Sequence, residues 1–183
     1  WEAVELDLCD APWLDILDNR VFEAMLLACA QGAFDHVMLG IPCNSFSVAR
    51  MHEDDGPPQL RRRPHEVMGI EDLPPFAASQ VASANVIVER SIRIARAAAM
   101  SGATWVIENP PSRGAGSERW QARYHLHASL WDVPCVQEFI SEFSGQVVRF
   151  DQCSMGGKWQ KWTQLAYDRR LVAMDHWGAY RCS

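Results

Sequence analysis

The chain has 183 residues, a formal net charge of −6, 48% hydrophobic residues and 22% charged ones. That is enough apolar chain for one domain with a real core. The acidic balance excludes a surface that is basic all over, and no apolar run has the length of a membrane span or the layout of a signal peptide.

Taken in chain order, Ala3–Leu6 reads as a short strand followed by acids. Asp18 is placed to cap a helix through Val21, Ala24, Met25, Leu27 and Ala28, with Gly32 as its stop. Phe34–Leu39 reads as a buried strand. A long loop follows from Pro42 to about Pro75, and a loop of that length inside one domain is usually functional. Val81, Ala84, Ile87, Val88, Ile92 and Ile94 make the apolar stripe of a long helix over 77–100. Ala103–Ile107 is the next strand, stopped by Glu108-Asn109-Pro110-Pro111. A loop over 112–124, a helix over 133–143, the strand Gln146–Phe150, the Gly156-Gly157 turn and a last strand at 163–167 complete the pattern.

Strands alternating with helices predict βαβ units in a three-layer, doubly wound, mostly parallel α/β sheet. In such sheets ligands bind beyond the carboxyl ends of the strands. The residues expected there are Glu5 and Asp7, Pro42 and Cys43, Glu108 and Asn109, and the stretch 151–161. The whole chain reads as one domain, with 43–75 as its active-site loop. Trp1 and the strand-like start suggest a segment of a longer polypeptide.

The six cysteines (Cys9, Cys29, Cys43, Cys135, Cys153, Cys182) are scattered and form no C-x-x-C pair. Neither a zinc site nor a disulfide framework is expected, and reduced thiols in an intracellular compartment (the nucleus, in a eukaryote) are. Cys43 differs from the others because it follows a Gly-x-Pro turn at a strand end. A thiol there needs a lowered pKa or a base, and a substrate held against it. A carboxyl in a partly apolar pocket, such as Glu108, suits proton donation to a ring nitrogen. Arg61-Arg62-Arg63 and Lys158 with Lys161 are the local basic patches.

Gly40-Ile41-Pro42-Cys43-Asn44-Ser45-Phe46-Ser47 resembles the G-P-P-C-Q-x-F-S motif of the cytosine-5 DNA methyltransferases. Val106-Ile107-Glu108-Asn109-Pro110 is similar to their E-N-V motif, and 155–163 resembles a degenerate Y-G-x-P-Q-x-R-x-R motif. Ala3-Val4-Glu5-Leu6-Asp7 and Leu14-Asp15-Ile16 are similar to A-x-E-x-D and G-D-I. The five lie in the family's order, and the nearest likeness is to divergent, retroelement- and protist-type domains.

The resemblance implies a Rossmann-like methyltransferase fold lacking its first strand, S-adenosylmethionine as cofactor and cytosine-containing DNA as partner. It implies that Cys43 adds to carbon 6 of a flipped cytosine while Glu108 engages ring nitrogen 3. Glu5, Asp7, Asp15, Gly40 and Pro42 would face the cofactor. Asn44, Ser45, Ser47, Arg61, Asn109, Gln160 and Lys161 would face the base or its backbone, and no metal is implied. The family's glycine-rich first motif, its target-recognition domain and its closing G-N-S motif are not found in the chain. Two other readings stand beside this one. Asn109-Pro110-Pro111 echoes the N-P-P-Y motif of amino-group methyltransferases, and a methyltransferase-like domain without activity would also carry this pattern.

Overall fold

A computed structural model of the chain describes residues 2–7, 11–51, 56–114, 124–158 and 161–181. Its regular elements are α1 (Asn19–Ala30), β1 (His36–Gly40), α2 (Pro75–Met100), β2 (Thr104–Asn109), α3 (Pro134–Glu142), β3 (Gln146–Asp151) and β4 (Trp162–Tyr167). Apart from the strand at Ala3–Leu6, the expected elements recur with small shifts because each carries its own local start and stop. The Asp18 side chain accepts from the Arg20 backbone N–H at the start of α1. Pro75 opens α2 at a position where its missing N–H costs nothing.

The strands form one open mixed sheet in the order β1-β2-β4-β3. β1 and β2 are parallel, with Met38 opposite Val106 and Gly40 opposite Glu108. β4 runs antiparallel to both β2 and β3. Three strands therefore share one direction and β4 is reversed between two of them. Of the three pairings one is parallel, so the mostly parallel sheet expected from the sequence is corrected to a mixed one. The reason lies in the connections. α2 carries the chain back between β1 and β2, whereas β3 and β4 are joined only by residues 152–161, too short for a crossover, which leaves an antiparallel pairing.

The main core lies between one sheet face and the helices. Trp105, Ile107 and Ala166 from the sheet meet Val88, Ile92 and Ala95 of α2 and Val136 and Phe139 of α3. Trp105 and Phe139 meet edge to face at 4.6 Å between ring centroids. Gly145 is required there, because a Cβ would stand 2.6 Å from the Trp105 ring. α1 packs on the same face, through Phe22 and Cys29 against Ile94 and Ala98.

The opposite face is covered over β3 and β4 by the 3₁₀ segment Val172–Ala179, whose Met174 and Trp177 pack on Val106, Val148, Phe150 and Tyr167. On β1 that face is open, with Met38 64% exposed, so the strand expected to be buried is corrected to a half-exposed one at the end of the sheet, with none of its five residues buried. Among the described residues α-helices lie on one face alone, so the second α-helical layer of a doubly wound sheet is not seen.

The strand expected at Ala3–Leu6 is a further correction. Residues 2–7 carry no regular structure, and Val4 is 62% exposed. A four-residue apolar run becomes a strand only when another strand takes up its hydrogen bonds, and none of the described strands does so.

Candidate active site

The carboxyl ends of β1 and β2 lie side by side, with Gly40 paired to Glu108. Beyond Gly40 the chain buries Ile41, exposes Pro42, half-buries Cys43 and closes into a tight 3₁₀ turn over Asn44–Phe46. The Phe46 N–H donates to the Cys43 carbonyl at 3.0 Å. The Asn44 side chain accepts from the Ser45 N–H at 2.7 Å. Cys43 is a free thiol, held on a turn whose neighbours Ser45 and Phe46 point inward.

Four side chains pin this loop from different elements. Asn109, 1% exposed, donates its amide to the Ile41 carbonyl at 2.7 Å. Arg50 donates to the Asn44 carbonyl at 2.7 Å, to the Pro58 carbonyl and to Gln80 on α2. Arg61 donates to Ser45 Oγ at 3.2 Å and to the Val67 carbonyl at 2.8 Å, with its guanidinium 4.0 Å from the centroid of the Phe46 ring. His127 bonds the Phe46 carbonyl at 2.9 Å. The described part of 43–75 is therefore a fastened platform under Cys43.

Arg61 departs from the expectation of a surface contact to substrate. It is 2% exposed, and burial pulls its pKa down to about 10. Its Nη2 has no hydrogen-bond partner. A buried guanidinium with one idle nitrogen costs stability, and here it supports the Cys43 turn from below.

Glu108 projects from the face of β2 opposite Asn109, as strand alternation dictates. Its Oε1 is shielded from solvent and makes no hydrogen bond. Lys161 Nζ lies 3.3 Å from that oxygen, at ion-pair distance but off the hydrogen-bonding direction. The Lys161 side chain is itself 48% exposed. Arg113 sits over the Trp162 ring at 4.8 Å, adding a cation and an aromatic surface to the segments that leave β2 and enter β4. The Glu108–Arg113 segment is fastened in turn. Trp131 Nε1 donates to the Pro110 carbonyl at 2.8 Å, and the Arg113 N–H donates to His127 Nδ1 at 3.1 Å.

The residues expected at the cofactor lie on the 2–7 segment, in the turn before α1 and at the end of β1. Glu5 and Asp7 are exposed on the irregular 2–7 segment. Asp15 spends a carboxylate oxygen on the Leu17 N–H at 2.8 Å, shaping the turn before α1. Gly40 has open space where a Cβ would stand. Pro42 lines a cleft of about 210 Å³ with Ile41, Asn44, Gln80, Ser83, Ala84 and Ile87. Sites for drug-sized ligands run from about 300 Å³ upward, and of the residues expected at the cofactor Pro42 alone lines this smaller cleft.

Ser45 is buried under the turn, and Ser47 accepts from the Ala49 N–H at 3.2 Å. Gln160 lies outside the described residues. Cys153 is disulfide-bonded, which corrects the expectation of reduced thiols throughout. Among the described residues no group of three His, Cys, Asp or Glu side chains could hold a metal ion, and no helix is long and apolar enough to cross a membrane.

Sequence reasoning passed over His127, Arg50 and Trp131. His127 and Trp131 act on backbone groups far away in the chain, and Arg50 joins Asn44 and Pro58 of its own loop to the Gln80 side chain on α2, contacts that no local motif marks. Compared with protein-family models, curated proteins and solved structures, the chain matches none.

Proposed function

We propose that this chain is a Rossmann-like, cytosine-5 methyltransferase-type domain acting on DNA, in which Cys43 is the nucleophile and Glu108 the acid. The observation that carries the reading is a half-exposed thiol and a shielded, hydrogen-bond-free carboxylate oxygen on adjoining strand ends. Those two groups are what addition to a pyrimidine needs. The Cys43 thiolate forms a bond to carbon 6 of a cytosine turned out of its stack. The electron pair of the 5,6 double bond shifts toward carbon 5, and the charge that would build at ring nitrogen 3 is met by a proton from Glu108. Carbon 5 is then nucleophilic. Lys161 must leave Glu108 for the base to enter, and its exposed position allows that. Arg113, Trp162 and Lys161 offer cationic and stacking contacts to the strand carrying the base.

S-adenosylmethionine enters this reading only through the sequence resemblance. The amino-group alternative is disfavoured because Asn109 spends its amide on Ile41 instead of facing a substrate amine. The reading without activity is favoured by one observation, the exposed placement of Glu5 and Asp7.

The addition step can be tested without any methyl donor. An adduct at carbon 6 allows carbon 5 to take a deuteron from heavy water, lose its original proton and expel the thiolate. The full chain is expected to exchange the carbon-5 hydrogen of cytosine in a DNA oligonucleotide, read by mass spectrometry, and Cys43→Ser to abolish it. Exchange no faster than in buffer alone would sink the proposal.

A further inference from the structure

One side chain touches both halves of this site. His127 is 4% exposed. Its Nε2 lies 2.9 Å from the carbonyl of Phe46 in the Cys43 turn. Its Nδ1 lies 3.1 Å from the backbone N of Arg113, in the segment that follows Glu108. The partners fix the tautomer. A carbonyl only accepts, so Nε2 carries the proton; a backbone N–H only donates, so Nδ1 carries none.

We propose that His127 is a positioning residue that clasps the Cys43 turn to the Glu108 segment, and that the clasp closes only on a neutral ring. This rests on the reading of Cys43 and Glu108 given above. A second proton on the ring would fall on Nδ1 and set one donor against another at Arg113, opening one side of the clasp while the Phe46 side stays bonded. The thiol and the carboxyl would then lose their common frame, although neither has itself changed.

The surroundings favour the neutral ring. Burial lowers the His127 pKa from its ordinary 6.5, the bond to Phe46 and the charge of Asp132 oppose that shift, and the charges of Arg113 and Arg63 add to it. Unfolded chains take up the proton first as pH falls below 6.5, so the native clasp loses stability in that direction.

The test combines two readouts on the full chain. The first is ¹⁵N NMR of the histidine rings together with hydrogen exchange at the Arg113 amide. The expected result is a single neutral tautomer protonated on Nε2, with Arg113 protection lost as the ring takes its second proton. The opposite tautomer, or protection unchanged across that titration, overturns the proposal and needs no variant.

The second readout is the pH profile of carbon-5 hydrogen exchange in cytosine, compared with that of His127→Gln. The glutamine amide can accept from Arg113 and donate to Phe46 but does not titrate. The ratio of wild-type to H127Q rates is expected to fall about tenfold per pH unit once the ring protonates. A constant ratio overturns the positioning role while leaving the cytosine reading intact. No exchange in either protein, with the NMR behaviour as expected, sinks the cytosine reading and leaves the clasp.

Discussion

Asn109 on β2 donates its side-chain amide to the Ile41 carbonyl at 2.7 Å, across the gap where β1 has ended and the Cys43 turn begins. The parallel ladder stops at Gly40 and Glu108, so this one bond extends the pairing by a side chain. It sets the direction in which the chain leaves β1, and with it the direction of Cys43.

Asn109→Ala leaves the Ile41 carbonyl without that partner in a buried place. The expected cost is about 1–3 kcal/mol of folding stability, measured by urea denaturation with the slope unchanged. Alkylation of Cys43 by iodoacetamide should become faster as the turn loosens. Stability equal to wild type would mean that the bond contributes nothing.

Glu108→Gln keeps the size of the side chain and removes its proton. Carbon-5 exchange in cytosine should slow by about 10²–10⁴-fold, the usual worth of a positioned general acid, while oligonucleotide binding by fluorescence anisotropy changes little. A loss of binding with the exchange of the bound fraction intact would assign Glu108 to recognition instead.

Phe139→Ala opens a cavity against Trp105, Phe143 and the helix-facing side of the sheet. Phe139 is fully buried, and the expected loss is about 3–5 kcal/mol. A thermal midpoint close to that of wild type would show that the core collapses around the gap.

The Tyr167 hydroxyl donates to Asp175 at 2.5 Å. Burial first, then that bond and the charge of Asp175, push the phenol from 10.0 up to about 12. The unfolded chain therefore releases this proton first. The stability due to the pair is present below pH 10 and declines as pH rises from 10 toward about 12. Tyr167→Phe should flatten that alkaline limb of a denaturation series, and an unchanged limb would place its cause elsewhere.

The helices and strands were legible because each states its own limits. Asp18 and Gly32 bracket α1, and Ser101-Gly102 ends α2. The Cys43 and Glu108 segments were legible as strand ends for the same reason, an apolar run broken by Gly-x-Pro or Asn-Pro-Pro. The strand expected at Ala3–Leu6 failed because its apolar residues have no ladder to join. In sequence Arg61 reads as surface charge because it stands in a run of three arginines. Arg62 and Arg63 remain more exposed, and nothing in the run itself says which of the three turns inward beneath Phe46.

By itself the sequence determined where the chain bends, where it extends, and that a thiol and a carboxyl each follow a strand. Those are local properties, set by periodicity, by capping residues and by proline. Only the tertiary structure decided that β4 pairs with β2 and so separates it from β3, that Gly40 lies opposite Glu108, and that His127 joins two loops. Each of these depends on hydrogen bonds between residues far apart in the chain. Such bonds form through packing and register, and no window of neighbouring residues contains both partners.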